Sequence, residues 1–327
     1  MEDVKVIFIA YNRPQYFKQE LESIKDQVMG MDVHLILDGP KEKQLKGEST
    51  EWMRDKFKAY QFGYEEDERR INECEQLFKE AFKSYPDIDR RVHREKENIG
   101  GDRNVGKAYY VAFEELGAKY AFFIEDDFVF APVYVEQLKI LFDFCKDDKD
   151  IVIMTCFGYL SREWPPGILD KQYCKLIEQS WLCGSLWKRD AWEILKPHFD
   201  IYLDLIKNNP WDVFVEKLKA YTKSIGIHYL DSAGGEDSFL ANVLSIYQKL
   251  RVSTAGEYLY NIGKTGAHCY EEMIGNHPMF IKNIYPKVAR ELYIDKQHRG
   301  FQLQLTGSLS EDWEEKRKKI IENTLPY

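Results

Sequence analysis

The sequence predicts an α/β fold built on a mixed, mostly parallel sheet flanked by helices. Two observations predict it. Short apolar runs of strand length alternate with helical patterns through the first half of the chain, the signature of βαβ units. The strands also end abruptly in polar, chemistry-bearing residues, and open α/β sheets bind their ligands beyond the carboxyl ends of their strands.

Val4–Ala10 is the first strand, and Tyr11–Asn12–Arg13–Pro14 turns out of it. Pro14 suits a first helical turn. The helix that follows is expected to run to about Gln27, with Phe17, Leu21, Ile24 and Val28 on one face. Val33–Leu37 is the second strand, ending in Asp38–Gly39–Pro40. Residues 41–67 read as a charged insertion, and a helix is expected from about Glu68 to Tyr85, with Ile71, Leu77, Phe78 and Phe82 as its apolar side. Asn98–Arg103 is a loop leading into a helix over Asn104–Leu116. Tyr120–Ile124 is a strand ending in Glu125–Asp126–Asp127, and Ile151–Phe157 is another.

The second half is more weakly patterned. Trp181–Trp187 reads as a strand, Arg189–Leu195 as a short helix, and Phe199–Thr222 as one or two helices broken at Pro210. Gly234–Gly235–Glu236–Asp237 precedes a helix to about Lys249, and Arg251–Tyr260 resembles a strand. Ser310–Asn323 reads as a capped amphipathic helix in which Lys316–Lys319 form a solvated face.

Composition narrows the function. With 327 residues the chain holds two domains or one large α/β domain with additions. Lys and Arg number 46 against 55 Asp and Glu, and a net charge of −9 argues against a protein that coats nucleic acid. At 44% apolar and 31% charged residues the chain is globular rather than disordered. No stretch approaches the roughly 18 apolar residues of a membrane-spanning helix. The acidic N-terminus enters a strand at Val4, unlike a signal peptide. The six cysteines include no CxxC pair, which excludes a zinc ribbon and argues against a disulfide framework. A reducing cytoplasm is the expected compartment.

Three loops carry chemistry. Glu125–Asp126–Asp127 gathers three carboxylates at the end of an apolar strand. Their mutual repulsion is relieved by a hard cation such as Mg²⁺ or Mn²⁺, and a metal held by one or two carboxylates keeps positions free for phosphates. Glu236–Asp237 is a second acidic pair, at a helix start where the macrodipole favours negative charge; an ordinary N-cap explains it equally well. Asn261–His268 is a glycine-containing loop with Lys264 and His268, suited to phosphate contact and metal ligation. Its spacing is not that of a phosphate-binding P-loop.

Taken together, these motifs resemble a GT-A-fold glycosyltransferase, nearest to the N-acetylglucosaminyltransferase I type. The likeness rests on the strand–AYNRP–helix opening, the strand ending in Asp38–Gly39, the Asn98–Gly100–Arg103 loop and the Glu-Asp-Asp triplet. It extends to Ser180–Trp181, the acidic pair Glu236–Asp237 and Gly263–His268, and covers about residues 4–270. The chain departs from that family in lacking the membrane anchor and in its long 41–67 and 199–232 segments.

The resemblance implies a Rossmann-like nucleotide-sugar-binding half over 1–158. It implies an acceptor-binding and catalytic half over 159–327, within the same domain. Asp127 would bind Mn²⁺ or Mg²⁺, with His268, and Asp126 or Glu125 would hydrogen-bond the ribose or donor sugar. Lys264 would lie by the phosphates of a nucleotide sugar, most naturally UDP-linked. Asp38, Arg13 and Arg103 would contact the nucleotide. Asp237 would be the general base of an inverting transfer, with Glu236 as the alternative and Asp212 a weaker one. Trp181 and Trp187 are candidates for stacking on a sugar. The acceptor would be a glycan, a protein, a lipid-linked precursor or a hydroxymethylated base in DNA. Two other classes compete. A nucleotidyltransferase would favour a glycine-rich basic loop after the first strand, which residues 10–14 lack. A carbohydrate-binding protein without activity would leave three charged loops surplus.

Overall fold

The computed structural model describes residues 1, 3–41, 63–85, 88–157, 172–176, 184–227, 235–254, 258–262 and 292–295. The chain divides into two compact units, Met1–Val135 with Tyr258–Pro286, and Glu136–Glu257 with Lys287–Tyr327. The architecture is α/β, with mostly parallel strands and covering helices.

In the first unit, β1 (Val4–Ala10) pairs in parallel with β2 (Asp32–Leu37), and β2 with β3 (Arg90–Arg94). Strand β4 (Tyr120–Glu125) returns to the other side of β1, also parallel, giving the order β4-β1-β2-β3. Both faces are covered, which is why β1, β2 and β4 are almost continuously apolar. On one face Phe8 meets Phe17 of α1 (Pro14–Ile24) and Phe78 of α2 (Tyr64–Ala81), with Phe82 just beyond it, at centroid distances of 5.7–6.3 Å. On the other, Phe123 packs edge-on to Tyr109 of α3 (Gly101–Tyr110) at 4.9 Å. Each such buried ring contributes about 1.5–3 kcal/mol. A short strand β5 (Phe128–Phe130) pairs antiparallel with strand Leu259–Asn261, so a late segment completes this unit.

Several elements differ from expectation. Helix α2 begins at Tyr64, inside the stretch read as an insertion, because Glu65, Glu66 and Asp67 sit in its first turn, where the helix dipole favours acids. Helix α3 begins at Gly101 rather than Asn104. Gly100, at φ +89°, supplies the left-handed residue before it. After Tyr110 the helix widens into a π-turn over Val111–Glu115.

The second unit contains most of α4 (Tyr134–Cys145) and a mixed sheet. Strand β6 (Ile151–Thr155) lies between β8 (Ser185–Lys188), antiparallel, and β9 (Leu250–Thr254), parallel. β7 (Gln172–Leu176) runs antiparallel to β9 and parallel to strand Leu292–Asp295. Arg189–Asn208 is one helix, α5, not two pieces. Its buried stripe Ala191, Trp192, Leu195, Phe199 and Tyr202 continues past Pro197 and outweighs that residue's cost of about 3 kcal/mol. Helices α6 (Trp211–Ser224) and α7 (Glu236–Ile246) follow. The expected strand over 251–260 is two, β9 in this unit and Leu259–Asn261 in the other. The Lys188 ammonium, 5% exposed, donates to the carbonyls of Cys145, Lys146 and Asp148 and so caps the open end of α4. The Ser310–Asn323 helix lies outside the described residues.

Candidate functional site

In the order β4-β1-β2-β3 the chain advances to one side of β1 and then crosses to the other. That makes the carboxyl ends of β1 and β4 a topological switch point, where open α/β sheets leave a crevice. The residues leaving these two strands are Tyr11–Asn12–Arg13 and Glu125–Asp126–Asp127.

The structure brings Arg13, Asp126 and Asp127 together there. The Asp126 N–H donates to the Ile9 carbonyl (3.1 Å), and the Tyr11 N–H donates to Asp126 Oδ2 (3.3 Å), so each loop holds the other. The Arg13 guanidinium donates to both oxygens of Asp126, reaching Oδ2 from Nε at 3.4 Å, and to Asp127 Oδ2 from Nη1 at 3.1 Å. Burial alone would lower the pKa of Arg13, but the two carboxylates overcome it and hold the group charged. Burial and the neighbouring Asp126 charge raise that of Asp127, against the pull of Arg13. Asp127 Oδ1 is buried and has no hydrogen-bond partner.

That orphaned oxygen is the test for a cation. Among the described residues no group of three or more His, Cys, Asp or Glu side chains is set to hold a metal. Asp127 fits a hard cation that it anchors through Oδ1, with positions left for phosphate oxygens and water.

A second layer surrounds the crevice. Asp38, 3% exposed, accepts from the Gly39 and Ile99 N–H groups at Oδ1 (both 2.8 Å). Its Oδ2 accepts from the Gly100 N–H (3.1 Å) and Asn98 Nδ2 (2.8 Å). Both oxygens are thus occupied in tying the loop after β2 to the loop that starts α3. Gly39 permits this approach, since a Cβ there would lie 2.5 Å from the Glu97 backbone. Arg103 stands in the first turn of α3 and is half-buried. The Ile262 N–H donates to the Asp127 carbonyl at 2.7 Å, just before the chain enters the loop with Lys264 and His268. Those two residues, like Trp181, lie outside the described residues.

Three participants escape sequence reasoning. Asp67, 2% exposed, accepts from the Tyr11 hydroxyl, Asn12 Nδ2 and the Lys41 N–H (2.9 Å). Arg70 donates to the Asn12 carbonyl at 2.8 Å, so α2 clamps the Arg13 loop from outside. No local pattern marks either residue. Glu20 is fully buried on α1, and its pKa is pushed well up by burial and by the Asp126 and Asp127 charges. A readable signal existed for it: an acid amid the stripe Phe17, Leu21, Ile24.

In the second unit, Glu236 and Asp237 form the first turn of α7 and are half-buried, while Asp212 is exposed on α6. Trp187 is fully buried, with its Nε1 donating to Ser185 Oγ (2.7 Å), so it fills core rather than stacking on a sugar. Cys74, Cys145 and Cys156 are buried free thiols. No helix among the described residues is long and apolar enough to cross a membrane.

No family model and no curated protein sequence matches the chain. Among solved structures it is similar to residues 1–349 of TarS from S. aureus, at 15% identity and a TM-score of 0.43, over 81% of this chain and 61% of that one. The same protein in complex with UDP-GlcNAc aligns at 13% identity and 0.43, over 99% and 72%. A mannosyltransferase, PcManGT from Pyrobaculum calidifontis, in complex with GDP-Man and Mn²⁺, aligns at 13% and 0.35, over 59% and 46%. The chain thus spans about three fifths of the first of these. Likenesses this distant leave function to be read from the chain's own residues.

Proposed function

We propose that this chain is a metal-dependent glycosyltransferase that moves a sugar from a nucleotide sugar, UDP-linked, to an acceptor hydroxyl with inversion. The observation that carries the reading is Asp127: a buried carboxylate at the switch point of a parallel sheet, with one oxygen neutralised by Arg13 and the other open. That combination suits a cation shared with a diphosphate better than it suits an acidic turn, whose carboxylates would face water. Mn²⁺ or Mg²⁺ bound there would supply Lewis-acid stabilisation of the departing diphosphate.

The protein's own groups divide the remaining work. Arg13 and Arg103 contact the nucleotide, with Arg103 offering its charge to the phosphates. Asp126, fixed by the Tyr11 N–H and Arg13, and Glu125 beside it accept hydroxyls of the ribose or the donor sugar. Asp38 serves the nucleotide through the Asn98–Gly100 turn that it holds. Lys264 would lie by the phosphates of the donor, and His268 would be the second metal ligand. Asp237 takes the acceptor proton, with Glu236 as the alternative base. The acceptor is a hydroxyl-bearing glycan, protein or modified nucleobase.

A screen of UDP-, GDP- and other nucleotide sugars for Mn²⁺-dependent hydrolysis, with nucleoside triphosphates in parallel, tests the reading. UDP release that is lost in EDTA and in Asp127→Asn is expected. Mass spectrometry of candidate acceptors then identifies the product. Undiminished activity in excess EDTA, or turnover of a triphosphate instead, overturns it.

A further inference from the structure

One buried acid beside the site has no part in the transfer proposed above. Glu20 is 0% exposed on the apolar stripe of α1, and neither of its carboxyl oxygens has a hydrogen-bond partner. A carboxyl in that state is costly, and an apolar side chain of the same volume is not. Its electrostatic neighbours are the site itself: Asp126, Asp127, Arg13 and Glu125.

Helix geometry shows why they are close. Arg13 is the N-cap of α1, and Glu20 follows seven residues later, two turns on and along the same face. The rise between them is about 10.5 Å. Side chains of an α-helix lean toward its N-terminus, so Glu20 leans toward Arg13. A guanidinium on its long stem, meeting a glutamate that leans toward it, covers that span.

The resting arrangement also contains a conflict. Arg13 occupies three of the four oxygens of Asp126 and Asp127, and a divalent cation at Asp127 Oδ1 would sit beside the same guanidinium. Two positive centres cannot share that carboxylate without cost. We propose that Glu20 is the alternate partner of Arg13, which turns from Asp127 to the Glu20 carboxyl when a divalent cation and a diphosphate take Asp127. Glu20 is then a positioning residue, and its unpartnered state is the vacant end of a two-place exchange. This rests on the cation reading of Asp127 given above.

Mn²⁺ binding, read by EPR with and without UDP, tests the exchange beside thermal unfolding. Glu20→Gln offers one acceptor in place of a carboxyl, and Glu20→Met offers none. Both should melt at or above the temperature of the unsubstituted protein, because neither loses a hydrogen bond in the resting state. Both should bind Mn²⁺ in the presence of UDP roughly tenfold or more weakly, the scale of a lost charge-assisted hydrogen bond. In an Arg13→Met background the same Glu20 changes should have no further effect, since the partner they serve is gone. Mn²⁺ affinities within about twofold of the unsubstituted protein, or an equal loss with Arg13→Met present, overturn the exchange while leaving the cation site intact. No Mn²⁺ bound by the unsubstituted protein, with or without UDP, overturns the cation reading and the exchange falls with it.

Discussion

Arg13→Met isolates what holds two buried carboxylates side by side. In the folded chain the side chain of Asp126 is 4% exposed and that of Asp127 13%, and Arg13 is the cation bonded to both. Methionine keeps the aliphatic stem and removes the charge. Breaking a buried ion pair from one side leaves uncompensated charge and costs about 3–5 kcal/mol. For 327 residues, at about 2.1 cal/mol/K of unfolding entropy per residue, 1 kcal/mol moves the melting temperature by about 1.5 °C, so a fall of roughly 4–8 °C is expected. The sign of the pH dependence follows. Burial already raises the Asp127 pKa, and losing Arg13 raises it further. A carboxyl raised in the folded state binds more protons folded than unfolded, so the deficit should shrink as pH falls from 7 toward 5. Mn²⁺ should restore more stability to Arg13→Met than it adds to the unsubstituted protein, because it refills the missing positive charge. Urea unfolding at pH 7 and pH 5, with and without Mn²⁺, measures all three effects. A variant as stable as its parent at pH 7 would refute the electrostatic account of this cluster.

Three further outcomes are expected. His34 is fully buried on β2, and burial pushes its pKa down to about 4. Between the ordinary value of about 6.5 and pH 4 only the unfolded chain gains that proton, so its contribution is whole above pH 6.5 and falls by about 3 kcal/mol toward pH 4. His34→Leu should flatten that part of the pH–stability curve in urea titrations; an unchanged slope argues against it. Gly39→Ala drives a methyl group to 2.5 Å from the Glu97 backbone and should cost about 1–3 kcal/mol in thermal unfolding, unless the two loops separate freely. Asp237→Asn should cut turnover by ~10²–10⁴ with donor affinity unchanged, and a matching loss of affinity would make Asp237 a binding residue instead.

The strands β1, β2 and β4 are legible because helices bury both faces of their sheet, and that burial selects unbroken apolar runs; β6 is likewise buried along its whole length. Strand β3 is not legible. Its sequence Arg-Arg-Val-His-Arg has no apolar pattern, because it is the outermost strand of the first unit's sheet and its charges find partners on α2 and on the residue just before it. Arg94 pairs with Glu68 and Glu75, and Arg91 with Asp89. Helix α4 and the strands at 172–176 and 292–295 are not legible either, lacking strong periodicity or turn signals. At the site, the carboxylate triplet stands out in one dimension. Its counter-ion does not: Arg13 reads as a nucleotide contact, and its pairing with carboxylates 113 and 114 residues away is a product of β1–β4 adjacency. Asp38 reads likewise as a ligand contact, whereas its four donors come from turns that only the folded chain assembles.

The pairing of β5 with Leu259–Asn261, and the Ile262 N–H on the Asp127 carbonyl, carry a consequence for biosynthesis. The carboxylate cluster is translated early, but the strand that braces its peptide comes 135 residues later. At about 5–20 residues per second a ribosome needs roughly 7–27 s to cover that distance. During that interval the nascent first unit has the sheet β4-β1-β2-β3 without its closing segment, and a stalled or truncated chain ending near Val135 keeps the acidic triplet while its supporting backbone bond is missing. The competence of this crevice is therefore timed by the second unit, whose larger piece, Glu136–Glu257, is threaded between the two pieces of the first.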